Sequence, residues 1–589
     1  MRFSQLAQFL QKLEQTASRN TMTEILAELL KTSSAQEVDK ICYLTQGRVA
    51  PLFVPLEFGV ADKMMIQVLG RACEVRGGEV VRLFGKLGDL GAVAEQLKIK
   101  NEKLKIKGLT ISEVFGVLER IAKAGGEGSV EEKTSIMVGL LQKLDPLSAR
   151  YVVRVPLGKL RLGFSDMTIL DALSWMLGRG KGARPEIEKA YNVRPDLGYI
   201  AKVVKEKGVR GLEKVGPEVG TPILMARAER LSSAKEIIDK IGKCAVEGKI
   251  DGFRVAVHKD GKKVQMFSRN MENTTKMYPD LVKEVLSQVK QNKVIFEGEA
   301  IGYNPQTGEF LPFQETVQRK RKYDIERMAE EVPLRLICFD CLYVDGKNLI
   351  NEGYLERRKW LEGVVGKGET LLLSEAKITD DPIELETIFQ EAIARGLEGV
   401  MAKKLDGVYQ AGARGWNWIK LKRSYQGKLE DTIDAVVMGY DFGQGKRAGF
   451  GIGDFLIGVY DQSVDTFKTI AKIGTGLSDE EWRTMKKKCN EMKAGQKPAR
   501  YDVDKLMSCN IWVEPAMVVV IRADEISRSP VHTAGRVMGL SKSGGAQEVK
   551  IPGFALRFPR LVDFRDDKVP EDATSVKEVE EMFKLQKKK

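Results

Sequence analysis

The feature that most constrains this fold is a change in hydrophobic periodicity near residue 216. Up to about residue 215, apolar residues recur at spacings of three and four, as in residues 23–30, which is typical of amphipathic helices. Beyond it, short β-branched runs such as residues 294–301 are typical of strands. Pro217, Gly220 and Pro222 punctuate the change. Because 589 residues are too many for a single core, we expect several domains.

The charge balance favours a polyanionic partner. The chain has 95 basic and 82 acidic side chains and a net charge of +13, and displacement of counterions by basic side chains favours binding to nucleic acid. No run of about 18 apolar residues is present, so we expect no membrane segment. The N-terminus lacks the basic-then-apolar pattern of a secretory signal, which predicts a cytoplasmic protein.

The cysteines and histidines exclude several kinds of site. Seven scattered cysteines do not suggest a disulfide framework. Cys338 and Cys341 have C-x-x-C spacing, but no second pair follows, and we expect both in the core. With only His258 and His532 in the chain, a histidine-rich metal site is not expected.

The stretch from Glu247 to Arg254, E-G-K-I-D-G-F-R, suggests a nucleophilic amine. A free lysine has a pKa of about 10.4, so Lys249 attacks phosphorus only if burial or nearby cations remove its proton. An isolated match of this kind also fits a surface lysine beside a hairpin turn. Later strands carry cations, two separated carboxylates (Glu299 and Glu398) and an aromatic ring (Phe339).

Together these strand residues suit the attack of an amine on a triphosphate. Cations crowded around an amine lower its pKa, and they also stabilise a reacting triphosphate. Lys420 and Lys422 alternate with apolar residues, so both ammonium groups face one side of a strand. Two carboxylates suit Mg²⁺, which prefers oxygen ligands and binds together with substrate phosphates.

Two regions outside this centre are also basic. Lys159 and Arg161 lie among glycines just before a Ser-Asp helix start, which fits either a phosphate site or a loop between bundle helices. From about residue 430 the chain is rich in strands again, which suggests a small five-stranded barrel, the OB fold. Lys446 does not belong to a P-loop, because Arg447 replaces the hydroxyl residue that this loop requires.

In its motifs and their order, the chain resembles the covalent nucleotidyltransferases, and among them the ATP-dependent DNA ligases of the archaeal and eukaryotic replicative type. The motifs are E-x-K-x-D-G-x-R at 247–254, S-R-N at 268–270, F-D-x-L-Y-x-D-G from 339, E-G-x-M-x-K at 398–403, W-x-K-L-K at 418–422 and R-F-P-R at 557–560. The segments 157–161, 312–322 and 445–449 are similar to the same subgroup.

The resemblance implies a multidomain α+β protein: an all-α DNA-binding domain at 1–215, an α+β nucleotidyltransferase (adenylation) domain at 216–425 and an OB-fold β-barrel at 426–589. It implies that Lys249 attacks the α-phosphate of ATP, that the AMP then moves to the 5′-phosphate of a nick, and that the adjacent 3′-hydroxyl displaces it. The cofactors would be ATP and Mg²⁺, and the partner nicked duplex DNA. We expect a monomer. A sliding clamp is a further candidate partner, although no complete clamp-binding peptide is present.

The resemblance also assigns roles to single residues. Glu247 would bind the adenine amino group, Phe339 would stack on the base, and Arg254 and Glu299 would lie at the ribose or the metal. The phosphates would meet Arg269, Lys403, Lys420 and Lys422, with Arg414 also binding ATP, and the metal would meet Glu299 and Glu398. DNA would be contacted by Lys159, Arg161, Arg319, Lys320, Arg321, Lys322, Lys446 and Arg447, and the OB motif would contribute Arg557 and Arg560.

Ile250 departs from the pattern, because many relatives have an aromatic residue there. Other functions remain open from the sequence alone: an RNA ligase, a capping-type guanylyltransferase or a non-enzymatic nucleic-acid scaffold. A capping enzyme has no use for about 215 helical residues ahead of the lysine. An NAD-dependent ligase is disfavoured because the four-cysteine zinc cluster is missing.

Overall fold

A computed structural model describes the chain except for residues 17, 101–106, 161, 179, 312, 321–323, 423–431, 444–449, 541–546 and 588–589. The chain divides into two compact units, Met1–Gly216 and Pro217–Lys589. The division falls at the change in sequence periodicity. The predicted boundary between 425 and 426 lies outside the described residues. No helix in the described part of the chain is long and apolar enough to cross a membrane.

The first unit is helical, as predicted. Its helices form because apolar residues recur on one face, as with Leu6, Leu10 and Leu13, which are all buried. Thr110 and Glu113 form a capping box at the start of one helix. The helices are α1 (Phe3–Glu14), α2 (Arg19–Thr32), α3 (Val38–Thr45), α4 (Asp62–Ala72), α5 (Gly77–Leu87), α6 (Leu90–Lys100), α7 (Ile111–Lys123), α8 (Ser129–Lys143), α9 (Pro146–Arg154), α10 (Asp166–Met176), α11 (Arg184–Val193) and α12 (Leu197–Lys207).

The second unit begins with a mixed α/β region. Its strands are β1 (Arg227–Arg230), β2 (Cys244–Lys249), β3 (Phe253–Asp260), β4 (Lys263–Ser268), β5 (Lys293–Gly302), β6 (Leu334–Val344), β7 (Lys347–Asn348), β8 (Leu371–Leu373), β9 (Ala376–Thr379), β10 (Gly399–Lys404) and β11 (Arg414–Lys422). Its helices are α13 (Ala234–Ile241), α14 (Pro279–Gln288), α15 (Phe313–Thr316), α16 (Ile325–Glu331), α17 (Tyr354–Val364) and α18 (Pro382–Ala394).

These strands form two sheets. One has the order β4-β3-β5-β6-β7, with β8 alongside β6, and packs against α14 and α17. The other has the order β1-β11-β10-β2-β9 and packs against α13 and α18 through Val246, Val400 and Ile419. Because side chains alternate along a strand, the residues between these apolar ones point to the opposite face. Cys338 and Cys341 are buried in β6, as expected.

The rest of the second unit is rich in strands, as predicted. It contains β12 (Ile433–Asp441), β13 (Asp454–Asp461), β14 (Thr466–Ile473), α19 (Asp479–Glu491), β15 (Lys493–Ala494), β16 (Tyr501–Asp502), β17 (Ile511–Val513), β18 (Val518–Arg522), β19 (Glu525–Ser529), β20 (Val537–Leu540), β21 (Gln547–Ile551), β22 (Gly553–Arg557), β23 (Arg560–Phe564) and α20 (Val576–Lys587). The main sheet has the order β15-β17-β12-β13-β14-β16, and β18 pairs with β12 and β23. Among the described residues these pairings do not close into a barrel, which corrects that part of the prediction.

Candidate active site

Lys249 lies where the chain passes from one sheet to the other. It is the last residue of β2, and β3, in the other sheet, begins at Phe253. The connecting turn packs tightly on β5, since a Cβ atom on Gly252 would lie 2.4 Å from the carbonyl oxygen of Ala300. This close approach explains why the Asp-Gly turn needs glycine. The turn therefore fixes the lysine at the junction of the two sheets.

The nearest partner of the Lys249 ammonium is a carboxylate. Lys249 and Lys422 both form ion pairs with Glu398, whose backbone N–H donates to the carbonyl oxygen of Lys249 at 3.0 Å. Burial alone would lower the pKa of Lys249, but the carboxylates of Glu398, Glu299 and Asp251 raise it overall. The prediction that cations lower this pKa is therefore wrong for the protein without substrate, because the acidic groups act on the amine more strongly than the cations do.

The pKa values of two carboxylates beside Lys249 are shifted in opposite directions. Burial disfavours ionisation of Glu398, yet Lys249 and Lys422 lower its pKa to about 2. Burial raises the pKa of Glu299 to about 7, because the opposing charges of Lys249 and Arg254 offset the effect of burial only in part. A cation bound beside a carboxyl group that burial pushes towards its neutral form would stabilise the ionised form.

These residues fit a magnesium ion that shares its ligands with a substrate. No group of three or more acidic, histidine or cysteine side chains in the described part of the chain is arranged to hold a metal alone. Mg²⁺ is usually bound through one or two carboxylates together with substrate phosphates and water. Glu299 and Glu398 supply that number of carboxylates, so the donor set suits the ion only in the presence of the nucleotide.

Glu247 and Lys403 form a buried ion pair. The Lys403 ammonium lies 2.9 Å from Oε1 and 3.0 Å from Oε2 of Glu247, and both side chains are about 2% exposed. Tyr354 and Ser374 also donate to this carboxylate. Lys420 and Lys422 pair with other carboxylates, those of Glu578 and Glu398. The burial of Lys403 does not fit the predicted phosphate contact.

Arg254 lies between two aromatic rings and a buried acid. Its guanidinium is 5.2 Å from the ring centroid of Phe339 and 5.1 Å from that of Trp418, and it donates to Glu297 at 2.6 Å. Tyr409 donates to the same Glu297 oxygen at 2.9 Å. Glu299 was a predicted site residue and Glu297 was not, although strand alternation places both on one face of β5.

Three predicted ATP-binding cations are paired with acids from the C-terminal segment. Glu578 of α20 lies 2.6 Å from Arg414 and 3.6 Å from Lys420, and Asp572 lies 3.0 Å from Arg269. Burial, with Lys422 and Arg414, lowers the pKa of Lys420 to about 8 although Glu578 opposes the shift. Neither acid was predicted from the sequence, because no motif marks them. Carboxylates thus lie where the resemblance places nucleotide phosphates.

Two residues predicted to contact DNA form ion pairs within the protein. In the first unit, Lys159 donates to Asp62 at 3.0 Å and remains about one-third exposed. In the second unit, Arg319 is 2% exposed and pairs with Asp280 at 2.6 Å. The burial of Arg319 does not fit a direct contact with DNA, and its position supports packing instead.

Of the remaining predicted DNA and OB residues, the structure describes Lys320, Arg557 and Arg560. Lys320 lies 3.8 Å from Glu272. Arg557 and Arg560 are 58% and 64% exposed and lie 3.8 Å from Glu525 and Asp524, respectively. Arg161, Arg321, Lys322, Lys446 and Arg447 lie outside the described residues.

Comparison with known proteins identifies the family. Residues 2–174 match the DNA ligase N terminus, 225–422 the ATP dependent DNA ligase domain, and 448–568 the ATP dependent DNA ligase C terminal region. The chain belongs to the ATP-dependent DNA ligases. A "Probable DNA ligase" of Dictyoglomus turgidum is 49% identical over 589 residues, covering 100% of this chain and 98% of the relative. "DNA ligase 2" of Thermofilum pendens is 44% identical, and the "DNA ligase" of Sulfolobus acidocaldarius 40%, over 100% of this chain and 98% and 99% of theirs.

Membership in the ATP-dependent DNA ligase family confirms the predicted enzyme class and its nucleotide. It also decides against the capping-type guanylyltransferase and the non-enzymatic scaffold, because all three ligase regions occur in order in one chain. In this ligase, a lysine, two carboxylates and several cations converge at the junction of two sheets. Such a site can supply a nucleophile and stabilise charge on a polyphosphate.

Proposed function

We propose that this ligase seals nicks between a 5′-phosphate and a 3′-hydroxyl in duplex DNA through an AMP bound covalently to Lys249. The single observation that carries the proposal is the position of Lys249, beside Glu398 and within the cluster of Lys420, Lys422 and Arg414. That arrangement places the nucleophilic amine next to positive charges that can stabilise the negative charge of a triphosphate.

In the first step the Lys249 nitrogen forms a bond to the α-phosphorus of ATP, the bond to pyrophosphate breaks, and the amine loses its proton. An oxygen of the 5′-phosphate then attacks the AMP phosphorus and Lys249 leaves, regaining a proton. Finally the 3′-hydroxyl loses its proton and forms a bond to the 5′-phosphate, the bond between that phosphate and AMP breaks, and AMP departs with the electron pair. Arg414, Lys420 and Lys422 stabilise negative charge on the phosphates in these steps.

Mg²⁺ would be held by Glu299 and Glu398 with the nucleotide, and it would neutralise charge on the phosphates. Arg254 and the ring of Phe339 form a wall of the nucleotide site, and Phe339 stacks on the adenine. Binding of Glu398 to Mg²⁺ would take away from Lys249 the carboxylate that raises the pKa of its amine most. Glu398 thus balances the positive charge of Lys249 before ATP binds, and it would hold the metal afterwards.

The first unit, with Lys159 and Arg161, grips the duplex, together with the basic segments around 320 and 446 and with Arg557 and Arg560. One chain contains every residue of the proposed site, which supports a monomer as the working unit. A sliding clamp is a further candidate partner. The cytoplasm, where ATP and reduced cysteines coexist, suits the seven free thiols of the chain.

The test compares three nicked duplexes with ATP and Mg²⁺. We expect the ligase to seal a DNA nick with a 5′-phosphate and to leave a nick with a 5′-hydroxyl unsealed. A duplex nicked in an RNA strand tests the RNA ligase alternative. Faster sealing of the RNA nick, or labelling of the protein by GTP in preference to ATP, would overturn the proposal.

A further inference from the structure

Two side chains outside every ligase motif contact Glu247. Tyr354, the first residue of α17, donates its hydroxyl hydrogen to Oε1 of Glu247 at 2.6 Å. Ser374, which follows β8, donates to Oε2 at 2.8 Å. All three are buried, at 2% exposure for Tyr354 and Glu247 and 5% for Ser374. The two donors therefore act on a carboxylate from which water is excluded.

With Lys403, these donors occupy the whole carboxylate. An ionised carboxylate offers about four acceptor positions. Tyr354 and Ser374 use one each, and the Lys403 ammonium lies within 3.0 Å of both oxygens. These three partners account for all four acceptor positions on Glu247 in the absence of a nucleotide.

The Lys403 ammonium links this network to two rings at the nucleotide site, those of Phe339 and Trp418. It donates to the carbonyl oxygen of Phe339 at 3.0 Å. It also lies 4.9 Å from the ring centroid of Phe339 and 4.8 Å from that of Trp418. A buried ion pair keeps its geometry only when all its hydrogen bonds are satisfied. The positions of both rings thus depend on how firmly Glu247 holds Lys403.

We infer that Tyr354 and Ser374 are positioning residues for ATP. They fix the Glu247–Lys403 ion pair and, through it, the wall formed by Phe339 and Trp418. Neither side chain lies at the reacting atoms, so they act on nucleotide binding and leave the attack by Lys249 unchanged. The inference rests on the proposed nucleotide site. Adenylation of the unaltered ligase tests that site first, so failure of the site and failure of the inference are distinguishable.

The test measures self-adenylation against ATP concentration, at a temperature where every variant is folded. Tyr354→Phe and Ser374→Ala should each raise the KM for ATP about tenfold, the effect of losing one hydrogen bond to a buried charge. The rate at saturating ATP should stay within about twofold, because Lys249 and its neighbours are intact. Ser374→Thr, which keeps the hydroxyl donor, should restore the KM.

Tyr460→Phe is the matched control. The Tyr460 hydroxyl donates to Asp465 at 2.9 Å in the strand-rich C-terminal region, and Tyr460 is 6% exposed. This variant should lower the melting temperature as Tyr354→Phe does and leave the KM for ATP unchanged. The inference is overturned if Tyr354→Phe and Ser374→Ala lower only the melting temperature, or if they lower the saturated rate while the KM stays constant.

Discussion

Lys249 and Glu398 form an ion pair at the ends of two adjacent antiparallel strands, with the backbone of Glu398 also bonded to that of Lys249. The pair keeps the amine protonated, since Glu398 raises the pKa of Lys249 against the effect of burial. The nucleophile is therefore inactive before substrate arrives. The proposed mechanism therefore requires the two side chains to separate before the amine attacks.

Removal of Glu299 should slow nick sealing strongly. Its carboxylate lies among Lys249, Arg254 and Glu398, where the metal and the reacting phosphate meet in the proposed mechanism. Glu299→Ala should lower the sealing rate about a hundredfold or more at saturating ATP. Glu309→Ala changes an exposed acid of the same region and serves as the control. Near-normal sealing by a folded Glu299→Ala protein would remove Glu299 from the site.

Glu578 should compete with the phosphates of ATP. Its carboxylate neutralises Arg414 and Lys420, which the proposed mechanism assigns to phosphate. Glu578→Gln should therefore lower the KM for ATP about fivefold. Glu580→Gln, on the same helix but paired with Lys584 at the surface, should leave the KM unchanged. An unchanged or higher KM in Glu578→Gln would show that α20 does not oppose nucleotide binding.

The charge of Lys420 predicts a pH dependence. Burial lowers its pKa to about 8, so the side chain is charged below that pH and neutral above it. The attraction for ATP should weaken as the pH rises through 8, whereas Lys420→Arg keeps its charge throughout. The ratio of the wild-type kcat/KM for adenylation to that of Lys420→Arg should therefore fall from about pH 7 to about pH 9. The ratio cancels the ionisation of Lys249, and a constant value would contradict the prediction.

Arg357 should be important for stability. Its guanidinium is fully buried, pairs with Asp340 through two hydrogen bonds of 2.7 and 3.0 Å, and donates to the carbonyl oxygens of Glu352 and Gly407. Arg357→Met leaves a buried carboxylate without its partner, which should lower the free energy of unfolding by about 3–5 kcal/mol. Denaturant unfolding measures the change. Arg395→Met, at a surface pair with Glu375, should change it by less than about 0.5 kcal/mol.

The sequence was sufficient for the elements that one strand or one helix determines. The change in periodicity located the helical unit, and alternation placed Lys420 and Lys422 on one face of β11. The motif from Glu247 to Arg254 located the lysine at a strand end. These features depend on neighbours in sequence, which is why a pattern can show them.

The partners of these residues were not predictable in the same way. Glu578 lies more than 150 residues beyond Lys420, and Tyr354 more than 100 beyond Glu247. No local pattern marks either contact, because each depends on how distant segments pack. The same reason explains the wrong sign expected for the pKa of Lys249. The sequence showed its cations on nearby strands, but only the fold brings Glu398 closest.

The most direct test of the account is the intact mass of the ligase after incubation with ATP and Mg²⁺, followed by a nicked duplex. The wild-type protein should gain the mass of one AMP and lose it when the duplex is added, and peptide mapping should place the AMP on Lys249. Lys249→Ala should gain nothing. An AMP on another residue, or adenylation of Lys249→Ala, would contradict the central claim that Lys249 is the nucleophile.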